Sequence, residues 1–240
     1  MGILNQIKII SSSLKKNSRK KLRTMLRLEY YEQIALKNNI EIIDINEIID
    51  FKDIEFNLTN LESKIGHTTR LELLYIIAII KQKINNHENF LEIGTFDGNT
   101  SLNISKNLKN DSKLYTIDLP EGNHENLETQ LEFDKTLINL KKRKNKKHLD
   151  CPNVEQIYSD STLFDFSSIK FKGVFIDGGH AYDIVKADTL NCIENIDKPG
   201  FILWHDYDVV NDVGTLIHEL VKKYPIKWIR NTRICYLEIS

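Results

Sequence analysis

Cysteine is scarce in this chain and scattered where it occurs: Cys151, Cys192 and Cys235 among 240 residues, with no C-x-x-C pair. An odd, dispersed set excludes a disulfide framework and a zinc site, and fits a reducing compartment. An excess of either charge is missing too. The formal net charge is −1, so no global field draws the protein to nucleic acid or to a membrane. Long apolar runs are absent: the longest, Leu73 to Ile80, falls far short of the roughly 20 residues a bilayer requires and reads as a buried helix. The first residues lack the apolar core and small-residue cleavage site of a secretory signal. These absences lead to the expectation of a cytoplasmic globular protein. With 41% hydrophobic and 28% charged residues, the length suits one well-buried α/β domain plus an extension.

A third glycine is missing where it would matter most. The run Asn89-Phe-Leu-Glu92-Ile-Gly94-Thr95-Phe96-Asp97-Gly98-Asn99-Thr100 reads as a buried strand, an acid, two glycines and the start of a helix. Further on, Lys113 to Asp118 supplies a second apolar strand ending in a carboxylate. Such a turn lets backbone approach a nucleoside, and the acid accepts from ribose hydroxyls. A dinucleotide needs a further glycine so that its pyrophosphate can sit on the helix N-terminus. Here Phe96 stands two after Gly94, and Asn99-Thr100-Ser101 offers none. A phosphate-free adenosyl ligand with a sulfonium and an amino-acid tail fits better. Glu92, just before the turn, favours a cationic group.

On these residues the chain resembles the class I S-adenosylmethionine-dependent methyltransferases, in the branch with L-E-I-G-T-F-x-G-x-[ST] that contains small-molecule and sugar O-methyltransferases. The likeness runs from about Gly66 to the C-terminus. Val154 to Ser161 is similar to the family's third strand, Lys172 to Tyr182 to the fourth strand and catalytic loop, and Lys198 to Tyr207 to the fifth strand. The resemblance implies S-adenosylmethionine held by Glu92, Gly94, Thr95, Phe96, Gly98, Thr100, Asp118, Asp160, Ser161 and Asp177. It implies methylation of a sugar hydroxyl on a glycan or secondary metabolite, with a catalytic set of His180 as base, Asp177 and His205. Asp177 and Asp206 match strand-end acids that bind a metal in some relatives, and Mg²⁺ is the ion their oxygens prefer. His205 stands where many relatives carry a second acid. It would ligate a softer ion, hold a substrate hydroxyl or pack. Two other readings stay open: an NAD-dependent oxidoreductase using Asp118, and an inactive methyltransferase-like binding subunit.

Apolar runs alternating with helices predict a Rossmann-like, doubly wound, mostly parallel seven-stranded sheet ending in an antiparallel hairpin. Asp118, Asp160, Asp177 and Asp206 then end strands on one edge, where ligands bind in such sheets. Residues 66–240 form the expected catalytic domain. Residues 1–65 form a basic, mainly helical extension in which Lys8, Lys15, Lys16, Arg19, Lys20, Lys21, Arg23 and Arg27 precede the first acid, Glu29. Leu14, Leu22, Met25, Leu26 and Tyr30 give it an apolar stripe. Residues 8–27 could meet an anionic surface, mediate homo-oligomer formation or simply be solvated. A second basic run, 141–147, follows Glu121, Glu125, Glu128, Glu132 and Asp134 and reads as a solvated mixed-charge helix, as part of a lid or as a binding segment for an acidic sugar. His67, Thr68, Thr69 and Arg70 precede a helix at a point where relatives often close over the donor; the plainer reading is a helix capped by Thr68. Trp204, Tyr207 and Tyr182 read as ring platforms or packing residues, and Asp183 and Asp188 as solvated.

Overall fold

The structure, a computed structural model, describes residues 16–61, 68–120, 134–135, 149–207 and 212–240, with side chains from residue 27 onward. Lys8, Lys15, His67, Glu121 to Glu132 and the run 141–147 lie outside the described residues, as do the side chains from Lys16 to Leu26.

The elements in chain order are α1 (Lys16–Lys37), β1 (Glu41–Ile43), α2 (Arg70–Lys83), β2 (Phe90–Ile93), α3 (Asn99–Ser105), β3 (Leu114–Asp118) and β4 (Val154–Tyr158). Then come β5 (Gly173–Ile176), α4 (Tyr182–Asn195), β6 (Gly200–Trp204), α5 (Asp212–Leu220), β7 (Lys227–Ile229) and β8 (Cys235–Ile239). The strands form one eight-stranded sheet in the order β1-β7-β8-β6-β5-β2-β3-β4. Only β8 runs antiparallel, against β6 and β7. The fold is therefore Rossmann-like and mostly parallel, with the expected C-terminal hairpin. An eighth strand joins it: β1 pairs in parallel with β7 through Glu41–Lys227, Ile42–Trp228 and Ile43–Ile229.

Every residue of β2, β5 and β6 is buried. Side chains alternate across a strand, so such runs must feed two cores. Leu91, Ile93, Val174, Ile176, Ile202 and Trp204 pack on one face with Val185 and Cys192 of α4, Leu216 and Ile217 of α5, and Tyr31 and Ala35 of α1. Phe90, Phe175, Phe201 and Leu203 pack on the other with Ile76, Ile79 and Ile80 of α2 and Ile104 of α3.

Two local devices position the site. Helix α2 starts at a capping box in which Thr69, not Thr68, is the cap: its hydroxyl accepts from Glu72 N, and Glu72 accepts from Thr69 N at 2.8 Å. Helix α3 and the turn that ends it carry Asn99, Asn103 and Asn107 at four-residue spacing. Asn103 and Asn107 accept from Thr59 N and Asn57 N, each at 2.9 Å, while Asn107 donates to Asn57 O at 2.7 Å. This ladder satisfies the backbone of a strand-less segment from the extension, laying it along the helix.

Candidate active site

The parallel strands carry Asp118, Asp160, Asp177 and Asp206 to one edge. Asp118 ends β3, Asp177 directly follows β5, and Asp160 and Asp206 stand two residues beyond β4 and β6. Backbone bonds continue past the strand ends: Gly94 N donates to Ile117 O, Asp177 N to Ile93 O, and His205 N to Ile176 O, at 2.9, 2.9 and 3.0 Å. The rim is thus built on a continuous ladder. It divides into two halves.

The first half is the glycine turn between β2 and α3. Gly94 has φ +99°, and a Cβ there would sit 2.1 Å from the Asp177 carbonyl oxygen, so only glycine fits. Gly98, at φ +81°, caps α3. Phe96 also adopts a left-handed backbone, φ +50°, which is costly for a bulky residue. Its N–H donates to Asp118 Oδ2 at 3.0 Å, so the acid at the end of β3 holds the turn. Thr95 faces a buried polar network below the turn. Its hydroxyl lies 2.7 Å from that of Thr116 and accepts from Gln156 at 3.2 Å. Glu92 lies in the same network, accepting from Thr116 at 2.6 Å and from Ser101, all on Oε2. Its Oε1 is sealed in with no hydrogen-bond partner among the described residues. Burial pushes its carboxyl up to about 8, partly offset by the two hydroxyls. Asp160 caps the short turn that follows β4, accepting from the N–H and hydroxyl of Thr162 at 2.9 and 2.7 Å, and Ser161 opens that turn. Thr100 stands in the first turn of α3.

The second half is a knot of charges between β5, β6 and their neighbours. His180 is buried and bonded on both ring nitrogens, Nδ1 to Asp134 Oδ1 at 2.6 Å and Nε2 to Asp206 Oδ2 at 2.7 Å. Its N–H donates to the other Asp134 oxygen at 3.0 Å. Burial alone would lower its pKa, but the two carboxylates override this and raise it to about 10. In this arrangement the two carboxylates favour the protonated ring. His205, also buried, sets Nδ1 2.9 Å from Asp177 Oδ1 and 3.3 Å from Asp206 Oδ2, and Nε2 3.3 Å from Glu72 Oε2. Burial would lower it as well, yet Asp177 and Asp206 hold it well above the ordinary histidine value. Arg233, from the β7–β8 turn, grips Asp206 with its guanidinium and donates its N–H to Glu72 Oε1 at 2.8 Å. Asp206 and Glu72 stay well below the carboxylate range despite burial, because His205 and Arg233 face both and His180 faces Asp206. Asp206 adopts φ +56° to reach its partners. Asp177, His205 and Asp206 offer ligand atoms all within 4.8 Å of one another.

The predicted residues thus gather on one edge, with Asp177, His205 and Asp206 in mutual reach and His180 bonded to Asp206. Three members of the knot were not foreseen as site residues. Asp134 is buried rather than on a solvated helix, and its only signal was an acid beside a basic run. Glu72 was legible as the fourth residue of T-x-x-E but not as a partner of His205. Arg233 is brought in by the hairpin. Trp204 and Tyr207 are packing residues, fully buried, with Trp204 Nε1 donating to Thr189 at 2.8 Å and the Tyr207 hydroxyl on His218 at 3.0 Å. Tyr182 donates to Glu219 at 2.6 Å under the Lys186 ammonium. Asp183 is exposed as expected, but Asp188 is fully buried.

Residues 91–207 match a family model described as a methyltransferase domain. CalS11, described as a calicheamicin methyltransferase, superposes with a TM-score of 0.50 at 12% identity, over 71% of this chain and 79% of that chain. The O-methyltransferase TomG from Streptomyces achromogenes, solved with its methyl donor, has a TM-score of 0.46 at 15% identity, over 72% and 82%. No curated protein is matched by this sequence. The family match covers residues 91–207, just under half of the chain, and the likeness to CalS11 is one of fold. No helix among the described residues is long and apolar enough to cross a membrane.

Proposed function

We propose that the protein is an O-methyltransferase that moves the methyl group of S-adenosylmethionine to a sugar hydroxyl of a glycan or secondary metabolite. The observation that carries this reading is the direct packing of the glycine turn on the charge knot: Gly94 lies against the Asp177 carbonyl. Donor and acceptor sites so placed share a wall, as in-line methyl transfer needs. The donor would lie over Gly94, Phe96, Gly98 and Thr100, with Asp118 near the ribose and Asp160 and Ser161 near the adenine. The unsatisfied Oε1 of Glu92 suits a cationic ligand rather than a pyrophosphate, which weighs against the NAD reading. The sugar acceptor rests on the resemblance of Leu91 to Thr100 to the sugar O-methyltransferase branch. The basic stretch 8–27 would favour an acceptor that is anionic or lies on an anionic surface.

A hydroxyl acceptor must lose its proton. Asp134 fixes Nδ1 of His180, so Nε2, now paired with Asp206, is the atom that would meet the acceptor, and it can take the proton only once that pair opens and the ring is neutral. The oxygen, nitrogen and oxygen donors of Asp177, His205 and Asp206 fit a divalent cation. The two carboxylates suit Mg²⁺, and the imidazole admits a softer ion such as Mn²⁺. Such an ion would supply Lewis acidity toward the hydroxyl. The intact constellation argues for an enzyme over an inactive binding subunit.

The test is transfer of labelled methyl from S-adenosylmethionine to a panel of glycans and glycosylated metabolites, with and without EDTA. Equilibrium dialysis against S-adenosylhomocysteine and NAD runs alongside. Binding of NAD in preference to S-adenosylhomocysteine rejects the donor, and turnover that EDTA leaves untouched rejects the metal.

A further inference from the structure

Both oxygens of Asp206 are engaged by cationic side chains. Oδ2 faces two histidines, His180 Nε2 at 2.7 Å and His205 Nδ1 at 3.3 Å. Oδ1 is therefore the oxygen left for a divalent ion, and it is the one that the Arg233 guanidinium grips. We infer that Arg233 is the resident cation of the proposed metal centre: its guanidinium compensates Asp206 in the metal-free protein and must swing away when a divalent ion binds. The inference rests on the metal reading above.

Of the three groups on Asp206, Arg233 is the one built to move. His180 is anchored from behind by Asp134, through its ring at 2.6 Å and its own N–H at 3.0 Å. His205 belongs to the candidate ligand set. The Arg233 side chain is 27% exposed, against 8% for His180 and 3% for His205. Its other contacts are long: Nε lies 3.5 Å from Glu72 Oε1, and Nη2 3.3 Å from His205 Nε2. The main chain is held separately, because Arg233 N donates to Glu72 Oε1 at 2.8 Å and its carbonyl accepts from Tyr207 N at 3.0 Å. The guanidinium can thus reach solvent while the β7–β8 turn and the first turn of α2 stay fixed. Staying in place would be costly. A guanidinium keeps its charge throughout the accessible pH range, and beside a divalent ion it meets a like charge at close range. Without the ion the same charge is favourable, since it holds the buried Asp206 carboxylate in place at φ +56°. Arg233 therefore preforms the ligand set and weakens its affinity for metal.

The experiment uses the full chain, with Mn²⁺ or Mg²⁺ alone as probe. Mn²⁺ binding is read from the electron paramagnetic resonance of the free ion in wild type, Arg233→Gln, Arg233→Lys and Arg230→Gln. Arg230 pairs with Glu32 and lies 3.4 Å from Asp44, outside the knot, so Arg230→Gln makes the same charge change away from Asp206. Arg233→Gln should bind Mn²⁺ about 10-fold more tightly than wild type, and Arg230→Gln should match wild type. Arg233→Lys keeps the charge and should bind more weakly than Arg233→Gln. A second measurement needs no variant to fold: Mg²⁺ added to wild type should move the Arg233 Nε–H resonance to that of a solvent-exposed guanidinium. If wild type binds the ion, equal or weaker Mn²⁺ binding in Arg233→Gln overturns the inference alone, because a merely structural arginine would give that result. An Arg233 resonance that saturating Mg²⁺ leaves in place does the same. If neither wild type nor Arg233→Gln binds either ion, the metal reading falls and takes the inference with it.

Discussion

The two halves of the rim bury carboxylates in opposite ways. On the acceptor side, Asp206 and Glu72 are buried against His180, His205 and Arg233 and stay far below the usual carboxylate range. On the donor side, Glu92 and Asp188 are buried with no basic side chain paired to either among the described residues, and burial lifts them to about 8 and about 7. The contrast follows from desolvation, which penalises an isolated charge severely and a compensated one much less. The acceptor side is complete in its own counter-charges. The donor side keeps neutral acids that a cationic ligand could ionise. If that division is functional, perturbations should separate along it.

The largest effect should come where the halves touch. Gly94→Ala places a Cβ 2.1 Å from the Asp177 carbonyl at a left-handed φ, so either the turn or the end of β5 must move. Loss of S-adenosylhomocysteine binding by more than about 100-fold is expected, measured by titration calorimetry on protein whose circular dichroism is unchanged. A folded variant that binds normally would show that the shared wall is not rigid. Next come substitutions confined to one side. Asp118→Ala frees the Phe96 N–H and should abolish donor binding. His180→Ala should leave donor affinity within about 2-fold yet lower kcat by about 10²-fold or more. Equal loss of donor affinity in both variants would erase the comparison.

A smaller effect sharpens the donor side. Glu92 holds its proton at neutral pH because its pKa is raised to about 8. A cationic donor bound over the adjoining turn would lower it through space, so binding at pH 7 should release up to one proton. Calorimetry in buffers of different ionisation enthalpy reads that number, and Glu92→Gln should bring it to zero while weakening binding about 10-fold. No proton release in the wild type would mean that Glu92 belongs to the turn's scaffold rather than to the ligand.

The same contrast explains what was legible in the sequence. The donor side is built from contiguous segments: the strand, the glycine turn and the acid ending β3 all announce themselves within thirty residues. The strand ends follow from alternation, and boundaries such as Phe90–Ile93 and Leu114–Asp118 fall within a residue of expectation. The acceptor side draws Glu72, Asp134 and Arg233 from three distant stretches, where local pattern said only cap, mixed charge and hairpin. No spacing rule connects them, because tertiary packing does. Strand β1 escaped for a related reason. Three residues, Glu41-Ile-Ile43, carry too little pattern, and only the open edge of β7 makes them a strand.

Asp188 shows an available signal that was outweighed by residue type. It shares a helical face with Val185, Thr189 and Cys192, all buried, so its spacing placed it inside while its charge suggested solvent. The consequence is thermodynamic. An acid whose folded pKa is raised to about 7 keeps its proton in the native state between about pH 4 and pH 7, where the unfolded chain has released it. The native state then binds more protons, so stability falls as pH rises through that window and stays low above it. Asp188→Asn should flatten this slope and stabilise the protein at pH 8 by about 2 kcal/mol, a shift of a few degrees in Tm by calorimetry. At pH 4 the two proteins should melt together. The opposite slope would mean that a cation reaches Asp188, and the division between paired acceptor-side and unpaired donor-side acids would not hold.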